Sequence, residues 1–216
     1  MTLRAIACAV ACAVLSTGLA GPSVAQTPAP APASSVAPDC APRTAGVGGI
    51  GRASVVAFRG PVFGGTVCAL IANLVFDAFT AKVADAPDAS ALVAASLGSG
   101  GDVTVPIGGT TIAGVGPYVI APGGAMPSFG SDTSETPRVV LAFSGGRVVV
   151  IGTSPVALVD LARILRTQPE LFGADAIERA VVLASGAGAT VSVRSADGVV
   201  GAVPATGRVL SLVKSP

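Results

Sequence analysis

The chain has no histidine and no tryptophan, a single tyrosine, and only 12% charged residues in a length of 216. Without imidazole there is no Ser-His-Asp or Cys-His machinery, no histidine metal ligand, and no side chain that titrates unperturbed near neutrality. Any chemistry falls to carboxylates, hydroxyls or backbone amides. The 13 Lys and Arg against 12 Asp and Glu leave a formal charge of +1, which gives no electrostatic footprint for nucleic acid. A charge content about half the usual quarter also excludes a highly charged disordered chain. What is abundant instead is hydrophobic residues, at 51%, together with 28 glycines and 17 prolines. The length suits one domain, or one domain plus a tail.

The N-terminus reads as an address. Met1 to Arg4 is a short positive region, Ala5 to Ala20 an Ala/Val/Leu/Cys run, and Ser23-Val24-Ala25 a small-x-small cleavage site, so residues 1–25 are expected to be a secretory leader cut before Gln26. The alternatives are an uncleaved anchor and lipoprotein processing at Cys8. Against the first, Ser16, Thr17 and Gly18 interrupt a run that falls short of the roughly 20 apolar residues a span needs. Against the second, almost no hydrophobic segment precedes Cys8. The expectation is a secreted or periplasmic protein with no membrane span after cleavage. Loss of Arg4 leaves the mature chain formally neutral.

The same cut removes Cys8 and Cys12 and leaves Cys40 and Cys68 as the possible pair in an oxidising compartment. A disulfide between them is predicted, and its loop closure would stabilise by about 3 to 4 kcal/mol. Residues 26–43 read as an extended Pro/Ala-rich linker. Residues 44–216 form the single folded domain.

Within that domain, Arg52 to Phe58, Val67 to Phe76 and Ala78 to Val83 are Val-, Ile- and Phe-rich runs separated by Gly60-Pro61 and Gly64-Gly65, which predicts strands with tight turns. Ala91 to Ser96 fits a buried strand or a short helix equally. Val103 to Val105 and Tyr118 to Ile120 are further short strand candidates. Ser144-Gly145-Gly146 between Val139–Phe143 and Arg147–Ile151 is a hairpin signal. A helix is expected over about 155–167: Ser154 as N-cap, Pro155 in the first helical position, and Leu158, Leu161, Ala162 and Leu165 on one face. Ala180–Leu183, Thr190–Arg194 and Arg208–Val213 complete the strands, with a turn at Asp197-Gly198. The fold class is therefore α+β, a mostly antiparallel or mixed β-sheet with one prominent helix and Gly-rich loops. Gly46–Gly51 and Gly98–Gly101 precede no helix signal and read as turns, not phosphate loops.

The segment from Pro137 carries Pro-Arg-Val-Val-Leu-Ala-Phe, the Gly-Gly hairpin, Val-Val-Val-Ile, a helix with Asp160-Leu161-Ala162, then Gly173-Ala174-Asp175-Ala176 and Ala180-Val181-Val182-Leu183 entering a small-residue loop. This order resembles the C-terminal half of the phosphodiester glycosidase family, in which an Arg-Thr-Ala-Ile-Gly strand, a hairpin, a Leu-Ala helix and a strand ending in Leu-Asp-Gly-Gly-Gly-Ser follow one another. Upstream, Pro106-Ile107-Gly108-Gly109-Thr110-Thr111-Ile112-Ala113-Gly114 is similar to the family's Pro-x-Gly-x-x-Ile-x-x-Gly segment.

The departures fall at the chemistry. The family's Asp-Gly-Gly-Gly-Ser loop aligns with Ala184-Ser185-Gly186-Ala187-Gly188, which has no acid, and its Asn-Gly-Gly-Phe-Phe segment falls near Ala95-Ser96-Leu97-Gly98. Arg138 is the polar motif residue that survives. Glycosidic cleavage normally needs two carboxyl groups flanking the scissile bond, and these motifs place none; Asp102, Asp132 and Asp175 are candidate loop acids. The resemblance thus implies a catalytically degenerate domain, a pseudoenzyme, binding a glycan or sugar phosphate through Arg138, Ser185, Gly186, Gly188 and Thr190, with no metal or cofactor. The alternative from the residues alone is a non-enzymatic structural or interaction module of the cell envelope, its Ala184–Ala189 loop a tight connection between strands.

Overall fold

Three neighbouring strands of the chain are apolar at almost every position, and this sets the architecture. A strand alternates its side chains between two faces, so an uninterrupted apolar run requires both faces to be covered. The computed structural model of the protein describes residues 40–85, 101–107, 117–129, 133–195, 198–201 and 208–215. These form β1 (Arg43–Val47), β2 (Gly51–Arg59), β3 (Thr66–Val75), β4 (Phe79–Asp85), β5 (Gly101–Ile107), β6 (Tyr118–Ile120), β7 (Thr136–Ser144), β8 (Arg147–Val156), the helix α1 (Leu158–Thr167), β9 (Arg179–Ser185), β10 (Ser192–Ser195), β11 (Gly198–Gly201) and β12 (Arg208–Lys214). One sheet has seven strands in the order β1-β2-β3-β8-β7-β9-β6, and the other has five in the order β11-β10-β5-β12-β4. The described pairings are antiparallel. The expected α+β class is the observed one.

The seven-stranded sheet is the middle layer. Val67, Ala69 and Ile71 of β3, Val149 and Ile151 of β8, and Val140 and Ala142 of β7 pack against Leu158, Leu161, Ala162 and Leu165 of α1. The intervening Leu70, Ala72 and Leu74, Val148 and Val150, and Val139 face Val103, Val193, Leu210 and Leu212 of the second sheet. Phe58 and Phe172 meet edge to face, 6.0 Å between centroids, and close the helix-side core.

The helix face is the expected one, but its start is not. Ser154 and Pro155 belong to β8, and α1 begins at Leu158 after Ala157, which provides no side-chain cap. The register of β7 on β8 shifts between Thr136 and Arg138, so Ser154-Pro155 lies in a bulge opposite Pro137. There a missing N–H costs no ladder bond. The Ser154 hydroxyl accepts the backbone N–H of Cys68 at 3.0 Å instead of capping the helix. A tertiary partner has overridden a local signal.

Further differences are at edges. β1 starts at Arg43, inside the stretch read as linker, and the Gly46–Gly51 stretch divides between β1, a turn at residues 48–50, and the first residue of β2. β5 and β8 are longer than expected, and β11 was not anticipated. The strand-or-helix candidate Ala91–Ser96 and the Gly108–Gly114 segment lie outside the described residues. Cys40 and Cys68 are bridged, with Cα atoms 5.3 Å apart across a separation of 28 residues. The bridge ties the chain just before edge strand β1 to the start of β3. Replacing both cysteines by serine is expected to lower unfolding free energy by about 3 to 4 kcal/mol, read as a reduced midpoint in urea denaturation monitored by circular dichroism.

Candidate functional site

Antiparallel pairing brings the start of β7, the ends of β8 and β9, and the start of β3 to one end of the seven-stranded sheet. Register shifts flank Arg138 on both sides, one against β8 and one against β9. Its Cα partners are Thr153 and Ser185. Such bulges re-aim side chains, and the Arg138 side chain is 5% exposed. Its Nε donates to the Val156 carbonyl at 3.1 Å, Nη1 to Ser185 Oγ at 3.2 Å, and Nη2 to the Ser134 carbonyl at 3.0 Å. Its backbone N–H donates to Thr153 Oγ1 at 3.3 Å. The guanidinium is thus fixed by groups from three strands or their flanks.

Ser185 ends β9 and is exposed. Gly186 follows in the left-handed region, φ 79°, and opens a 3-10 turn over Gly186–Gly188 closed by the Ala189 N–H on the Gly186 carbonyl at 2.9 Å. A residue with a Cβ would be strained at that φ. Thr190, half-buried, lies between Ala189 and Val191, both in the core between the sheets. Chemically, an arginine donating to a serine oxygen leaves the serine O–H to donate outward, strengthened by the charge behind it. Arg138 and Ser185 are directly joined; Gly186, Gly188 and Thr190 follow along the chain.

The same sheet end carries a cleft of about 370 Å³ lined by Thr66, Cys68, Glu135, Ser154, Val156 and Asp160, among others. Its two carboxylates differ. Asp160, in the first turn of α1, is 2% exposed, and its Oδ1 and Oδ2 accept the backbone N–H groups of Val62 and Phe63 at 2.7 and 3.2 Å. Glu135 is exposed. Neither was singled out from sequence. For Asp160 one signal was present: Ile164, one turn further along that flank of the helix, is apolar and is buried, marking the flank as covered.

The candidate acids are elsewhere. Asp102 is not on a loop: it lies within β5, opposite Arg194 and Val213, because the strand extends back to Gly101. Asp175 is exposed in the loop before β9, whose far end carries Ser185. Asp132 lies outside the described residues. Among the described residues no group of three or more Cys, Asp or Glu could hold a metal ion. No described helix is long and apolar enough to cross a membrane. In comparisons with known proteins, no family model matches the chain and no curated protein is found similar to it.

Arg138→Leu withdraws donors from the Val156 and Ser134 carbonyls and is expected to destabilise by about 2 to 4 kcal/mol. Ser185→Ala, at an exposed position, is expected to cost less than about 1 kcal/mol. Chemical denaturation of the two variants beside the parent checks both values.

Proposed function

We propose that the chain is a secreted, catalytically degenerate domain of phosphodiester-glycosidase type that binds a sugar phosphate, or a glycan bearing one, where Arg138 meets Ser185. One observation carries the reading. Two residues 47 positions apart in sequence, both within the segment that carries the resemblance, are in hydrogen-bond contact at one sheet end. The chemistry there suits an anion: a hydroxyl backed by a guanidinium, beside a turn with little side-chain bulk.

Binding without turnover follows from the acids at that end. Cleavage would need one carboxyl to protonate the leaving oxygen and a second to act as base or nucleophile. Among the described residues the only carboxylate lining the cleft besides Glu135 is Asp160, which is buried and accepts a backbone N–H on each oxygen. Export is supported by the leader-like N-terminus and by the Cys40–Cys68 bridge, which persists in oxidising compartments.

Titration with a hexose 1-phosphate, followed by NMR, is expected to shift the resonances of Arg138 Nε, Ser185, Gly186, Gly188 and Thr190, while the free hexose shifts none of them. Ser185→Ala should weaken the phosphate binding roughly tenfold, the loss of one charge-assisted hydrogen bond. A chromogenic sugar phosphodiester should not be hydrolysed. Shifts scattered over the surface would refute the site, and turnover abolished by Glu135→Gln would refute the absence of catalysis.

A further inference from the structure

The cleft beside α1 carries two carboxylates without a balancing charge. Of the described residues that line it, Glu135 and Asp160 are acidic and none is lysine or arginine. Among the described residues neither acid has a cationic partner. Asp160 is 2% exposed, and a charge so placed is ordinarily offset by an opposite one or by several hydrogen bonds. The N–H groups of Val62 and Phe63 supply one bond to each of its oxygens. A carboxylate has about four acceptor positions, so each oxygen keeps capacity for a further donor.

Ser154 gives a second, independent indication. It lines the same cleft, is 9% exposed, and its Oγ accepts the Cys68 N–H at 3.0 Å. A hydroxyl has two acceptor positions and one donor, and among the described residues nothing takes the second acceptor position or the O–H. A nearly buried hydroxyl left half satisfied beside a cleft calls for a polar occupant.

Three acceptor groups, on Glu135, Asp160 and Ser154, therefore border one cleft of about 370 Å³. A primary ammonium has three N–H donors and no acceptor, which matches this set in number and in charge. A metal ion suits it less. Hard cations take six or more oxygen ligands, and among the described residues no group of three or more Cys, Asp or Glu could hold one. The cleft also has room for a ring that bears the ammonium.

The cleft adjoins the position assigned to the phosphate. Arg138 Nε donates to the carbonyl of Val156, which lines the cleft, and Nη2 donates to the carbonyl of Ser134, the neighbour of Glu135. Nη1 donates to Ser185 Oγ. One planar guanidinium joins the cleft wall to Ser185, and the two ends of this stretch favour opposite charges.

We propose that the ligand is an amino-sugar phosphate, with its phosphate at Arg138 and Ser185 and its ammonium in the cleft among Glu135, Asp160 and Ser154. This rests on the sugar-phosphate reading and adds the amine to it.

Titration calorimetry of the full chain with glucosamine 1-phosphate, glucose 1-phosphate and N-acetylglucosamine 1-phosphate separates the two readings. Glucosamine 1-phosphate is expected to bind roughly tenfold tighter than glucose 1-phosphate, the effect of one charge-assisted contact. N-acetylglucosamine 1-phosphate should bind no tighter than glucose 1-phosphate, since acetylation removes the charge. Glu135→Gln, at an exposed position, should remove most of the preference for the amine. Equal binding of the amine and glucose 1-phosphate would overturn the proposal and leave the sugar-phosphate reading standing. A preference unchanged in Glu135→Gln would overturn it by placing the amine outside the cleft. Acetylated sugar bound as tightly as the free amine would overturn it by tracing the preference to shape. Binding of none of the three would overturn both readings.

Discussion

Coverage of both faces of β3, β8 and β7 is the constraint on which the rest of the structure depends. Water reaches neither face of these strands over most of their length, so each outward and each inward position must be apolar or hydrogen-bonded within the protein. That requirement calls for a helix on one side and a second sheet on the other. It also accounts for the unusual composition. A sheet with one wet face would alternate polar and apolar residues, whereas a middle layer uses Val, Ile, Leu and Ala at consecutive positions. The 12% charge content is the compositional trace of a three-layer packing.

The polar groups admitted to this interior are concentrated at strand ends, where they join elements that the sheets do not connect. Ser154 accepts from Cys68 across the bulge, and Asp160 ties the first turn of α1 to the β2–β3 turn. Arg138 gathers Val156, Ser134 and Ser185. At the other end of β3, Asn73 Nδ2 donates to the Phe172 and Gly173 carbonyls and Asn73 Oδ1 accepts from Arg147 Nη1. Each bond closes a contact between residues that are mostly far apart in sequence. At Asp160, Ser154 and Arg138, which are buried, breaking one partner leaves a buried group unsatisfied, which costs more than the bond's net contribution.

Legibility in the sequence followed the range of the determining interaction. The Ser144-Gly145-Gly146 hairpin depends on local turn chemistry and was readable, as was the buried face of α1, set by spacing alone. The cysteine pairing was readable because the leader reading left two candidates. The N-cap was misread because Ser154-Pro155 is a sound local signal whose atoms are used by Cys68 and by a bulge against Pro137. β1 was missed because Arg-Thr-Ala-Gly-Val has little strand character of its own and gains its place by pairing with β2. Of the candidate site, the contact between Arg138 and Ser185 was open to inference only through a family resemblance. The role of Asp160 was hidden, since nothing near it in sequence shows that its acceptors face a turn 97 and 98 residues earlier.

With no histidine in the chain, proton transfer near neutrality would fall to carboxylates, and a carboxylate can do that work only if an oxygen faces the reactant. At the end of the seven-stranded sheet where β7 begins, the two described acids lining the cleft are unequal in this respect. Asp160 accepts a backbone N–H of the β2–β3 turn on each of its oxygens, so it is held against that turn. Glu135, on the cleft wall, is exposed. The described interactions at this end hold elements together: Asp160 joins α1 to the β2–β3 turn, and Arg138 joins the start of β7 to the ends of β8 and β9.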